Sequence, residues 1–138
     1  MQIHVCSKVA VNSVVQNLEG TIAIISVTDP EEPIACENHD NVLRLQFHDL
    51  NVIWPQLNEV TYFTNEMANI IVEFVKTNSD VDHIVVHCEV GVCRSPAIAA
   101  AISEYLGIAH LFFRSHIPNT MVFSMLRTRF GFKRRKST

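Results

Sequence analysis

Short apolar runs alternate along this chain with longer stretches of helical spacing, and that alternation predicts its elements. Residues 3–6 (IHVC) are β-prone and predict an opening strand. Ser7 is placed to cap a helix over about residues 8–17, with Gly20 just past its end. Residues 21–27 (TIAIISV) form a nearly continuous apolar, β-branched run, the pattern of a strand buried on both faces. The run ends at the turn signal Asp29-Pro30, and TDPEEP predicts a surface loop. Over residues 42–47, Leu43, Leu45 and Phe47 alternate with Arg44 and Gln46, a third strand. Residues 58–76 carry helical spacing, with Val60, Phe63, Met67, Ile70, Ile71, Phe74 and Val75 mainly on one face. Residues 84–86 predict another buried strand. A helix over 96–105 follows, with Ser95 as cap, Pro96 in the first turn and Gly107 after the end. A last helix is predicted over about residues 119–130.

Strands that alternate with helices imply an α/β domain: a mainly parallel central sheet of four to five strands with helices on both faces. At 138 residues there is length for one such domain, taken as residues 1–132, followed by a basic, solvated tail over 133–138 (KRRKST). The apolar fraction of 48% and charged fraction of 18% are those of a globular protein, and the net charge of -3 speaks against a general nucleic-acid binder. No secretory leader pattern opens the chain, and no run approaches the roughly 18 apolar residues that cross a bilayer. The four cysteines, Cys6, Cys36, Cys88 and Cys93, form no C-x-x-C or zinc pattern, so reduced thiols and a cytoplasmic setting are expected.

Chemistry concentrates in residues 84–101, IVVHCEVGVCRSPAIAAA, which run from a buried strand through a short loop into a helix. Backbone N–H groups of such a loop, with the positive end of the helix, make an anion site. The nucleotide-binding G-x-x-x-x-G-K-[ST] pattern is absent. A cysteine and an arginine six positions apart form a weak pattern alone. Here Cys88 ends a buried strand, Gly91 permits a tight turn, and Ser95 follows Arg94 as the helix begins. Attack on phosphorus requires a thiolate, whereas a free cysteine is only a few per cent ionised at neutral pH. The loop amides, the helix end and Arg94 all favour negative charge at Cys88. The planar fork of Arg94 suits two phosphate oxygens. Ser95 can donate to the Cys88 sulfur as it leaves, and His87 can orient the loop through its ring nitrogens.

HCEVGVCRS resembles the HC-x5-R-[ST] signature of protein tyrosine and dual-specificity phosphatases. The resemblance extends from about the second strand to the last helix, and small bacterial and phage members are similar in length and order of elements. It implies a cysteinyl-phosphate intermediate, no metal or other cofactor, and a general-acid aspartate N-terminal to the cysteine. It also implies phosphate binding by the loop residues Glu89, Val90, Gly91, Val92, Cys93 and Arg94. Cys93 before the arginine is similar to the loop of low-molecular-weight tyrosine phosphatases, whose cysteine pair can form a protective disulfide. Those enzymes carry the loop near the N-terminus, so its late position here fits the dual-specificity arrangement better. Cys93 is read either as a small thiol filling space or as the partner in a reversible Cys88–Cys93 disulfide.

The leaving group needs a proton, and Asp49 in QFHDLN is the first candidate acid, at the C-terminal end of a predicted strand. Asp29 and Asp40 are the alternatives. His48 is read as a polar loop residue or a substrate contact. Asn119 is read as a helix cap or a partner of the phosphate loop, while His110 and His116 are read as structural or surface residues. The expected activity is phosphomonoester hydrolysis, on phosphotyrosine first and then on phosphoserine or phosphothreonine. The substrate is a phosphorylated protein or small phosphomonoester, with no nucleic acid or membrane as partner. Glu89 and Val90 stand where inositide-preferring members carry paired lysines, which disfavours a phosphoinositide. A rhodanese-like sulfurtransferase, an arsenate reductase and a non-catalytic phosphate-binding module remain as rivals.

Overall fold

In a computed structural model, residues 1–132 are described; the tail proposed for 133–138 lies outside them. The elements are β1 (Gln2–Ser7), α1 (Val11–Gln16), β2 (Ile22–Thr28), β3 (Val42–Gln46), α2 (Asn65–Thr77), β4 (His83–Cys88), α3 (Arg94–Leu106), α4 (Phe112–Ser115) and α5 (Thr120–Arg129). The four strands form one all-parallel sheet in the order β1-β4-β2-β3, the α/β arrangement expected from the alternation. No described helix is long and apolar enough to cross a membrane.

Strand side chains alternate between faces, and each face of this sheet buries its own set. Ala23, Ile25 and Val27 of β2 join Ile84, Val86 and Cys88 of β4 in the larger cluster, with Ile71 and Val75 of α2, Ile98 and Ile102 of α3, and Leu126 of α5. On the other face Ile24 and Val85 pack with Val11 and Val15 of α1 and with Cys36. The intervening residues on that face, Ser26 and His87, are polar and buried. α3 is buried on all sides from Arg94 through Ser103, which accounts for its run of alanines and its lack of a polar stripe.

Three predicted helix starts are corrected. α2 begins at Asn65 rather than near residue 58, because the Thr64 side chain accepts the Met67 N–H at 3.1 Å and caps it there. Val60 and Phe63 therefore precede the helix, and Phe63 packs its ring 4.9 Å from that of Phe47. Ser7 does not cap a helix from residue 8. Its hydroxyl accepts from Ala10 N–H within a turn, and α1 starts at Val11. Ser95 is likewise no cap: α3 starts at Arg94, two residues before the predicted Pro96, and the serine hydroxyl turns to Cys88. The short α4 has no counterpart in the sequence reading.

Candidate active site

The C-terminal ends of the parallel strands converge on the loop between β4 and α3. Gly91 allows the loop to close. Its φ is +81°, and a Cβ there would lie 2.8 Å from the Cys6 carbonyl carbon and 2.9 Å from Ser7 N. The turn brings Gly91 N–H to 3.1 Å from Cys88 Sγ, and Ser95 Oγ sits at the same distance from that sulfur. The N–H groups of Val90, Val92 and Cys93 meet no acceptor among the described residues. The first turn of α3 closes the bowl. Two hydrogen bonds brace it from below: Ile117 N–H donates to Val92 O (3.2 Å) and Asn119 N–H to Cys93 O (2.9 Å).

Arg94 is only 5% exposed and is aimed by two acceptors. Its Nη1 donates to Asp29 Oδ1 at 2.7 Å and to the Phe47 carbonyl at 2.6 Å. With Nη1 held, the Nε and Nη2 edge is the part of the guanidinium left for an anion. Asp29 is itself positioned: its N–H donates to Glu89 Oε1 at 3.1 Å, and Glu89 also faces Lys8 Nζ at 3.8 Å. The Glu89 side chain thus ties the loop to the strand ends instead of pointing into the bowl.

A cavity of about 260 Å³ opens over the sulfur, lined by Asp49, Cys88, Val90, Val92, Cys93 and Arg94. Of the three candidate acids Asp49 alone reaches it. Asp29 is paired with Arg94, and Asp40 is exposed and takes no part in the lining. Asn119 Nδ2 donates to Asp49 Oδ1 at 2.8 Å and to the Leu50 carbonyl at 3.1 Å, while Asn119 Oδ1 accepts Val122 N–H as the cap of α5. Both readings of Asn119 therefore apply, and the link to Asp49 is an addition to them.

His87 is fully buried and does not line the cavity. Its Nε2 pairs with Ser26 Oγ at 2.6 Å and its Nδ1 lies 3.3 Å from Cys88 O, so it fixes the strand end from the opposite face. Burial pushes its pKa down and keeps the ring neutral. The Cys93 thiol is pushed up to about 11, first by burial and then by the charge and hydrogen bond of Asp49. It stays protonated at neutral pH. Cys6 is likewise raised to about 11 by burial, with Cys36 and Cys88 adding to the shift, and burial also raises Cys36. All four cysteines are free thiols.

His48 is a brace: Nδ1 accepts Thr61 N–H at 2.9 Å and Nε2 meets Glu31 Oε2 at 3.0 Å. His116 bonds within its own turn to Ser115 and Phe112, and His110 lies 3.8 Å from Glu104. Neither lines the cavity.

Sequence reasoning missed the roles of Ser26 and Asp29. Ser26 left a signal, a hydroxyl inside the apolar run TIAIISV, where a buried polar group demands a partner. Asp29 left none, because its arginine lies 65 positions away. No group of three or more metal-ligating side chains occurs among the described residues. Comparison of the sequence with protein-family models gives no match, and comparison with curated proteins gives no significant one.

Proposed function

We infer that this chain is a phosphomonoester hydrolase working through a cysteinyl-phosphate intermediate, on phosphotyrosine before other phosphomonoesters. One observation supports the reading above all. A sulfur at the end of a buried strand faces an amide and a hydroxyl at 3.1 Å, and shares one cavity with an arginine held in place and a carboxyl group.

The chemistry follows from those contacts. Loop amides and the free edge of Arg94 hold the three non-bridging phosphoryl oxygens and gain strength as charge shifts onto them in the transition state. Cys88 sulfur attacks phosphorus; the S–P bond forms as the P–O bond breaks, and the departing oxygen takes the proton of Asp49. Water then attacks phosphorus and gives a proton back to Asp49. The sulfur leaves as thiolate, stabilised by Ser95 O–H and Gly91 N–H. Phosphate departs, and the enzyme is restored. Asn119 fixes one carboxyl oxygen, which turns the other toward the leaving group. A thiolate nucleophile needs a reducing compartment, and the cytoplasm is the proposed one. The substrate is a phosphorylated protein or a small phosphomonoester with an apolar leaving group, matched to Val90 and Val92.

The test is hydrolysis of aryl phosphates in the presence of a chelator. Wild type should turn over and be blocked by vanadate. Cys88→Ser should abolish turnover, and Arg94→Ala should cost about 10²–10³-fold. Asp49→Asn should slow phenyl phosphate by about 10²-fold or more and p-nitrophenyl phosphate far less, since a good leaving group needs no proton. Equal losses on both substrates would remove Asp49 as the acid, and full turnover by Cys88→Ser would remove the reading itself.

A further inference from the structure

The two edges of the sheet differ in chemistry. Along β3, Arg44 donates to the carbonyls of Ala35 (3.1 Å) and Cys36 (2.7 Å), and Gln46 Nε2 to that of Glu32 (3.1 Å). The segment after β2 is thereby drawn across that edge. β1 has no such cover among the described residues. Gln2 N–H donates to the Asp82 carbonyl beside β4 at 2.9 Å, and the alternation of a parallel strand then turns the N–H and C=O groups of Ile3 and Val5 outward. No backbone bond outside the ladder engages either residue among those described.

Exposed edges are ordinarily blunted by charge, proline or a bulge. Gln2–Ser7 (QIHVCS) has no Lys, Arg, Asp, Glu or Pro, and it runs in unbroken register with β4 over six pairs. Beside it lies a mostly apolar groove of about 750 Å³, with Met1, Gln2, Ile3 and His4 on one side and residues 108–112 on the other. Successive strand residues point to opposite faces, so a hollow that touches four in a row lies along the edge. Leu111 on its far wall is 64% exposed, and Val9, just beyond β1, is 94% exposed.

We propose that this edge is a homodimer interface in which β1 pairs antiparallel with β1 of a second copy, making one continuous eight-stranded sheet. A second copy is the occupant that fits, because the two-fold sets a strand free of Lys, Arg, Asp and Glu against its equal. Centred on Val5, the pairing sets Ile3 against Ser7 of the other copy. It also brings that copy's turn over residues 8–10, with Val9 the most exposed large apolar residue described, beside the Met1 end of the strand. The outward amides of Ile3 and Val5 gain partners from both sides. Antiparallel pairing sends the strand ends in opposite directions, so the two Cys88 loops open on opposite sides and each stays accessible.

Sedimentation velocity over about a hundredfold range of concentration tests this. The expected mass rises from one chain to two, and amide hydrogen exchange at Ile3 and Val5 slows as the dimer forms. Val9→Lys, at a position open to solvent, should weaken the dimer by about tenfold or more while aryl-phosphate turnover per chain is unchanged. Ile3→Pro removes an outward N–H that takes no part in the β1–β4 ladder and should leave the chain monomeric. A chain that stays monomeric throughout overturns the proposal. So does a dimer that forms while the Ile3 and Val5 amides exchange freely and Val9→Lys has no effect.

Discussion

Gly91 stands where a single methyl group has no room. Its positive φ would cost an alanine about 1–2 kcal/mol, before the added carbon meets the Cys6 carbonyl at 2.8–2.9 Å. Gly91→Ala must therefore lift the loop off β1, and that motion takes the amide away from Cys88 Sγ. The expected outcome is a fall in thermal stability together with a larger fall in kcat/KM, read by calorimetry and aryl-phosphate kinetics on the same preparation. Unchanged activity in Gly91→Ala would mean that the sulfur does not depend on that amide. At this scale the sequence was most readable where contacts are local: Cys88, Gly91, Arg94 and Ser95 lie within one loop, so spacing alone brings them together. It was least readable where the partner is distant. Ser26 and His87 lie 61 positions apart and are joined by the β2–β4 register, while Asp29 and Arg94 lie 65 apart and meet just beyond the ends of the same two strands.

Elements carry the loop and the proposed acid, and α5 connects the two. Asn119 caps α5 through Val122 N–H, donates its own N–H to Cys93 O, and holds Asp49 with its side-chain amide. Two substitutions separate these tasks. Asn119→Ala loses the cap as well as the Asp49 contact and should cost about 1–2 kcal/mol of stability by urea unfolding. Asn119→Asp keeps a capping oxygen but sets a carboxylate beside Asp49. It should retain more stability than the alanine variant and still show a reduced kcat, most on poor leaving groups. Equal kcat on phenyl phosphate for Asn119→Asp and wild type would show that Asp49 needs no such support. The strands were legible to within a residue or two because near-continuous apolar runs mark β2 and β4 and apolar–polar alternation marks β3. Helix starts were not, since periodicity continues past a cap. Val60 and Phe63 keep a helix-like spacing outside α2, and only Thr64 with its bond to Met67 N–H sets the boundary.

For the molecule as a whole, buried titratable groups set a pH range of greatest stability. His87 and His4 both have pKa values pushed below the ordinary 6.5, each chiefly by burial, with His83 adding to the shift at His4. Above that value both rings are neutral whether the chain is folded or not. As pH falls below it the unfolded chain takes up protons first, so stability drops until the folded-state values are passed. Asp82, held below the ordinary 3.8 by hydrogen bonds from Thr21, adds a further loss at lower pH still. At the alkaline end Cys6 and Cys93 are raised from 9.0 to about 11, and Cys36 is raised as well. There the unfolded chain releases protons first, and stability falls as pH climbs from 9.0 toward 11. Urea unfolding across pH should thus trace a plateau between the two limbs. His87→Gln, which keeps a polar group facing Ser26, should flatten the acid limb whatever it does to stability at neutral pH. Cys93→Ser should flatten the alkaline one. An acid limb of the same slope in His87→Gln would mean that the ring beneath the loop is not held neutral by its surroundings, and that protonation elsewhere drives the loss.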